Sequence, residues 1–325
     1  MRATRPLATA VLAAAAFAAP LATPAWAQIQ PRPITLVVPI AAGGGVDAIG
    51  RLMAEKLAER LRQPVVVENR TGAGGMVGAE SVAKAAPDGQ TLLLIETSST
   101  LHQWLHKSVP FDVIADFAPV ARVAVSSLLL FGHPSFSADS PRDVIALAKA
   151  GPGKLSVGTP GVGTPHHLAM LMMNAFAKVD ITHVPYRGTG PALNDILGGQ
   201  LPMIWAAPIA VMPHVASGKV KVLGTASAER EAALPQVPTM EESGMAGFRL
   251  QIFYGVAAPA RTPPEITARL DREIGAITAL PEVRERMTKL GFGFGYADGK
   301  TFRELMRADH VRYGEVIRAA GIQPH

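Results

Sequence analysis

Two glycine-bearing segments carry the residue types best suited to chemistry in this chain. The first is Pro39-Ile40-Ala41-Ala42-Gly43-Gly44-Gly45-Val46-Asp47, between an apolar run and a helical pattern. Glycines let the backbone take positive φ and approach a ligand closely. The unpaired N–H groups at the start of the following helix favour a carboxylate or phosphate. Asp47 either caps that helix or accepts a hydrogen bond, and a plain packing turn is the competing reading. The second segment is Gly158-Thr159-Pro160-Gly161-Val162-Gly163-Thr164-Pro165-His166-His167. Here Thr164 reads as an N-cap and Pro165 as the first helical residue. Two such loops in different halves of the chain suit the clamping of one small anion from both sides. Neither is a P-loop, because no Gly-Lys-Ser/Thr follows the glycines.

Other candidates carry less. Asn69 to Gly78 approximates a dinucleotide fingerprint, but its spacing is off, and tight turning with helix docking accounts better for its glycines. His102 and His106 have i,i+4 spacing without the glutamate of a zincin, and His166 and His167 are adjacent, so no metal is expected. His166 or His167 at a helix start is suited either to bonding a ligand or to a helix surface. There is no Gly-x-Ser-x-Gly elbow and no cysteine, so a hydrolase elbow, a cysteine nucleophile and disulfides drop out. The Met170, Met172, Met173 cluster reads as core filler.

The elements that must position these loops alternate along the chain. Ile34 to Pro39, Val65 to Val67 and Thr91 to Ile95 read as buried strands. Ile49, Leu52, Met53, Leu57 and Leu61 fall on one helical face. This rhythm predicts parallel sheets with crossover helices. Phe117 to Val125 and Leu128 to Phe131 look like a passage between two lobes, and Ile252 to Ala257 like the return. Between them lie a helix opening at Ser140-Pro141-Arg142-Asp143 and strands at Leu155 to Gly158, Ile181 to Val184, Met203 to Ala206 and Val220 to Leu223. Pro264 to Ala320 reads as mostly helical, broken at Pro281 and at Gly291 to Gly295. A ligand would sit in the cleft where the strand C-termini of the two lobes face each other.

The first 27 residues give the compartment. Arg2 and Arg5, the apolar run Ala8 to Ala19, and Ala25-Trp26-Ala27 follow the order of a secretory signal, with Gln28 as mature start. The run is too short to span a bilayer. A soluble periplasmic protein is expected, without a lipid anchor because no cysteine follows. Of 31 Lys+Arg and 26 Asp+Glu, the signal removes two arginines, leaving 29 − 26 = +3. No basic run exceeds a dipeptide, which disfavours nucleic acid.

Taken in order, these motifs resemble the Bug-type periplasmic substrate-binding proteins of tripartite tricarboxylate transporters. The resemblance rests on Ile34 to Pro39 with Ala41 to Asp47, Pro64 to Arg70, Gly72 to Gly75, Ala85-Ala86-Pro87-Asp88-Gly89 and Asp116 to Val120. It continues through Pro152 to Leu155, His183 to Gly188 and Leu234 to Thr239. It implies an α/β, two-lobed periplasmic-binding-protein fold (Venus flytrap, type II) with two interlobe crossovers. Residues 1–27 would be signal, 28–126 and 251–325 lobe I, and 127–250 lobe II. It further implies a monomeric receptor, not an enzyme and without a cofactor, that delivers a small carboxylate to a membrane permease. A signalling co-receptor and an exported enzyme acting on a carboxylate are the competing readings. Ligand contacts carried over by motif are Ala42, Gly43, Gly44, Gly45 and Asp47, then Ser98 and Ser99, then Thr159, Gly161, Gly163, Thr164 and His166. The chain departs from the pattern at Trp205-Ala206, where the family often has an aromatic followed by Asp, and at Phe253-Tyr254, where it usually shows Trp first. Losing that acid disfavours a ligand carrying ammonium. Trp205 is either one wall of the pocket or core.

Overall fold

The computed structural model describes residues 32–324 apart from 44, 232 and 320. The signal segment, the start at Gln28 and the Gly44 contact lie outside the described residues. No described helix is long and apolar enough to cross a membrane.

Two sheets organise the chain. The first contains β1 (Ile34–Val38), β2 (Val65–Asn69), β3 (Thr91–Glu96), β4 (Phe117–Ser126), β10 (Ile252–Pro259) and β11 (Gly293–Asp298), in the order β11-β4-β10-β3-β1-β2. The second contains β5 (Leu129–Gly132), β6 (Leu155–Thr159), β7 (Ile181–Pro185), β8 (Met203–Ala206) and β9 (Lys221–Thr225), in the order β7-β6-β8-β5-β9. Helices α1 (Gly45–Leu61), α2 (Met76–Ala83), α3 (Thr97–Leu105), α8 (Pro264–Ala279), α9 (Pro281–Lys289) and α10 (Gly299–Ala319) accompany the first sheet. Helices α4 (Pro141–Ala150), α5 (Pro165–Ala177), α6 (Thr189–Leu197) and α7 (Pro208–Ala216) accompany the second.

The expected apolar face of α1 is the buried one: Ile49, Leu52, Met53 and Leu57 have no exposure and Leu61 has 7%. Each such side chain contributes roughly 1.5–3 kcal/mol on burial. The expected parallel strand–helix units form in both sheets, and each sheet adds antiparallel strands, so both are mixed. β2, β1 and β3 are parallel neighbours, but β10 runs antiparallel to both β3 and β4. The reason is the chain path: β4 leaves for the second sheet and β10 returns from it, so the two lie side by side in opposite directions. The glycine-rich segment after α9, read only as a helix break, supplies the edge strand β11 beside β4.

The two crossings differ in length. Only Ser127 and Leu128 separate β4 from β5, whereas residues 226–251 separate β9 from β10. The backbones are laced where they cross: Ala226 N–H donates to Leu128 O at 2.9 Å and Leu250 N–H to Ala226 O at 2.8 Å.

Candidate functional site

The loop after β1 is organised by Asp47. Its Oδ2 accepts from Gly43 N–H at 2.9 Å and Arg51 Nε at 2.8 Å, and its Oδ1 from Asn69 Nδ2 at 2.9 Å. Burial pulls this carboxyl upward, but the bonds from Arg51, Gly43 and Asn69 outweigh it and hold the group below its usual range. Asp47 is 4% exposed, so its carboxylate shapes the loop while Ala42 and Gly43 stay exposed and Gly45 half-buried. The neighbouring loop from Gly72 to Gly78 docks on it. A Cβ on Gly78 would meet Arg70 O at 2.7 Å and Pro39 Cα at 2.9 Å, so close backbone approach explains that glycine.

At the end of β3, Glu96 caps α3. Its side chain accepts from Ser98 N–H at 3.1 Å and from the Ser98 hydroxyl. Burial raises the Glu96 carboxyl above its usual range. Ser98 and Ser99 are 2% and 3% exposed. The Ser98 hydroxyl proton is therefore already given to Glu96. Tyr254 pairs with Glu96 across the strands, and its ring meets Phe292 edge-on at 5.0 Å. A Cβ on Gly45 would lie 3.4 Å from Phe292 Cζ and 3.5 Å from Ile209 Cγ2. Gly45, Phe292, Tyr254 and Glu96 thus form a continuous strip on the first lobe, and Ile209 at the start of α7 touches it from the second.

The loop after β6 folds as its sequence predicts. Thr164 caps α5, its Oγ1 accepting from His167 N–H at 3.3 Å and donating to Gly161 O at 2.7 Å. Gly163 N–H donates to His167 Nδ1 at 3.3 Å, the His167 ring stacks on His183 at 4.3 Å, and His183 Nε2 lies 2.7 Å from Thr159 Oγ1. Thr159 is fully buried. His166 differs: the residue is half-buried, yet both ring nitrogens are buried and unpartnered. Helical side chains lean toward the N-terminus, so this ring overlies the first turn of α5. Burial lowers its pKa to about 3, so the imidazole is neutral.

This loop meets the first lobe directly. A Cβ on Gly163 would lie 2.5 Å from His106 Nε2, and one on Gly74 would lie 3.6 Å from Val162 O. His102, one turn earlier on α3, bonds Gly74 O through Nε2 at 3.1 Å. The lobes therefore touch on two sides, at Ile209 and at Val162–Gly163. A groove of about 550 Å³ lies outside this contact, between α5 and the tail Gly321 to Gln323, and only Val162 and His167 link it to the loop.

Trp205 and Ala206 do not share a wall. Successive strand residues point to opposite faces. Trp205 is 1% exposed and stacks on Phe248 at 6.1 Å, with Nε1 buried and unpartnered; Ala206 packs into the cluster with Ile196, Ile204 and Val211. Trp205 is core-packed, which removes it as an open pocket face. Sequence reasoning did not single out Phe292, Ile209 or the His106–Gly163 contact. No local motif marks them, since each acts through a residue distant in sequence. Among the described residues no group of three His, Cys, Asp or Glu is placed to hold a metal ion.

The sequence profile described as tripartite tricarboxylate transporter family receptor matches residues 49–322. The chain belongs to this family. The family is one of solute-binding receptors and not of enzymes. Solved relatives agree. The periplasmic binding protein BugD is 32% identical with a TM-score of 0.83, over 91% of this chain and 100% of BugD. A Rhodopseudomonas palustris protein solved with adipate is 29% identical with a TM-score of 0.84, over 90% of this chain and 99% of its own. MatC from Rhodopseudomonas palustris, solved with bound malate, is 32% identical with a TM-score of 0.80, over 88% and 99%. The family member described here thus has the Bug-type, two-lobed α/β fold of the periplasmic binding proteins, with two crossings.

Proposed function

We propose that this receptor captures a small carboxylate between its lobes and hands it to a tripartite tricarboxylate-type permease. The observation that carries the reading is the pair of strand–glycine loop–helix units, after β1 and after β6, one on each sheet and beside the contacts that join the lobes. Helix starts favour carboxylates. Adipate and malate in two relatives are carboxylates of the expected size. In this reading the N–H donors come from the start of α1 at Gly45 and Val46 and from Val162 in the loop before α5, while Gly43, Gly161 and Gly163, whose N–H groups bond Asp47, Thr159 and His167, hold the loops in shape. Ser99, Thr159 and Thr164 border the site, and neutral His166 offers a ring N–H. Asp47 and Ser98 act indirectly, through the loop and through Glu96. Lobe I comprises residues 28–126 and 251–325 and lobe II residues 127–250. The mature protein begins at Gln28 and works in the periplasm as a monomer.

A thermal-shift screen over mono-, di- and tricarboxylic acids tests this. A ligand at 100 times its dissociation constant adds about 2.7 kcal/mol to the folded state, a clear rise in Tm. No carboxylate stabilising the mature protein would refute the reading.

A further inference from the structure

The two crossings are tied by a side chain that touches no candidate ligand contact. Glu231 Oε1 accepts the Ser127 hydroxyl from the short crossing, the Ser227 hydroxyl at 2.7 Å, and lies 3.4 Å from Thr225 Oγ1. Ser227 opens the long crossing and Thr225 ends β9 just before it; Ser227 N–H also donates to Thr225 Oγ1 at 3.2 Å. Ser127 is one of only two residues between β4 and β5, so rotation of one lobe against the other concentrates in its backbone angles. The end of the long crossing is held to the first lobe instead: Arg312 of α10 donates to Arg249 O at 2.7 Å.

We propose that Glu231 is a positioning residue that sets the opening of the lobes, by anchoring the Ser127 hinge to the long crossing through hydroxyl bonds to one carboxylate oxygen. Hydrogen bonds to a charged acceptor are stronger than those between neutral groups. Main-chain bonds lace the crossing whatever the side chains are, so the device acts on hinge angle and not on the existence of the fold. With the tie in place, Ser127 samples a narrow range of angles and the lobes stay near the arrangement in which they touch. Without it the closed arrangement is less populated. Apparent affinity falls by the same factor as the binding-competent fraction. The consequence for binding rests on the receptor reading; the consequence for lobe opening does not.

The chain has no cysteine, so two labels can be placed cleanly. Val77 on α2 is 49% exposed and Ser217 after α7 is exposed, one on each lobe. Spin labels at V77C and S217C report interlobe distance by pulsed EPR without any ligand. Glu231→Ala and Ser127→Ala should each lengthen or broaden that distribution, and the double variant should do no more than either alone. Glu231→Gln, which keeps an acceptor oxygen, should recover most of the parent distribution. With a carboxylate found by the thermal screen, Glu231→Ala should raise Kd about 3- to 10-fold, mainly through faster dissociation. An unchanged distance distribution in a folded Glu231→Ala protein overturns the proposal. So do additive effects of the two alanine variants. A changed distribution with no carboxylate bound by the parent protein would uphold the hinge and refute the receptor reading.

Discussion

Replacing Gly163 by alanine should weaken ligand binding without touching a ligand. Gly163 has φ +78°, and its missing Cβ would fall 2.5 Å from Nε2 of His106 on the opposite lobe. Two costs arise, and they separate in a cycle. Left-handed backbone costs an L-residue roughly 1–2 kcal/mol, but it does so whether the lobes are open or closed, and so lowers stability rather than affinity. The contact with His106 exists only when the lobes meet. Overpacking of this kind costs about 1–3 kcal/mol, which is roughly 5- to 150-fold in Kd, with ring rotation of His106 favouring the lower end. Calorimetric titration of a carboxylate measures the loss, and denaturant unfolding measures the strain. The double variant Gly163→Ala with His106→Ala should recover the affinity and keep the lost stability. Parent-like affinity in Gly163→Ala, or no recovery in the double variant, would show that this contact does not govern closure.

Further outcomes follow from the same geometry. Asp47→Ala should destabilise the protein by about 2–4 kcal/mol in chemical denaturation, since Gly43 N–H and Asn69 Nδ2 lose a shared acceptor. Ala206→Asp should destabilise by more than about 2 kcal/mol, because it buries a carboxylate among Ile196, Ile204 and Val211; an unchanged Tm would mean the site is wetter than its zero exposure implies. Acid should weaken the fold. Burial lowers His166 to about 3, and burial together with the positive form of His106 lowers His102 to about 4. Below the ordinary histidine value near 6.5 the unfolded chain takes up protons that these buried rings refuse. Their contribution is therefore complete above about pH 6.5 and is lost as pH falls toward 4 and then 3, by at most about 1.4 kcal/mol per pH unit per histidine. His166→Phe should flatten that slope in urea melts between pH 4 and 6.5, and an unaltered slope would show the ring to be solvated.

The parts of the site that sequence disclosed are those fixed by local chemistry. Thr164-Pro165 announces a helix start, and the cap bond to His167 N–H forms there. The apolar period of α1 announces its buried face. Trp205 was open in the sequence because a strand covered on both faces gives no sign of which side is cleft and which is core. The answer came from Phe248, more than forty residues on, lying against the indole. β11 is not legible in the sequence because Gly293 and Gly295 offset the strand preference of Phe294 and Tyr296, and pairing with β4 is what orders the segment.

The same contrast separates binding from closure in this receptor. What could hold a carboxylate is written in contiguous loops, since backbone N–H groups and helix starts depend on neighbours in the chain. What would govern closure under the proposal is not contiguous. His106 meets Gly163, Ile209 meets Gly45 and Gly291, and Ser127 reaches Glu231 across roughly a hundred residues of chain. Affinity is the product of an intrinsic contact term and the fraction of molecules able to close. In the proposed reading, loop residues set the first and these distant pairs set the second. Two receptors with identical glycine loops can therefore differ in affinity through His106, Ile209 or Glu231 alone. Substitutions at those positions should shift binding of all carboxylates by a common factor, whereas substitutions at His166 should change the order of preference among them.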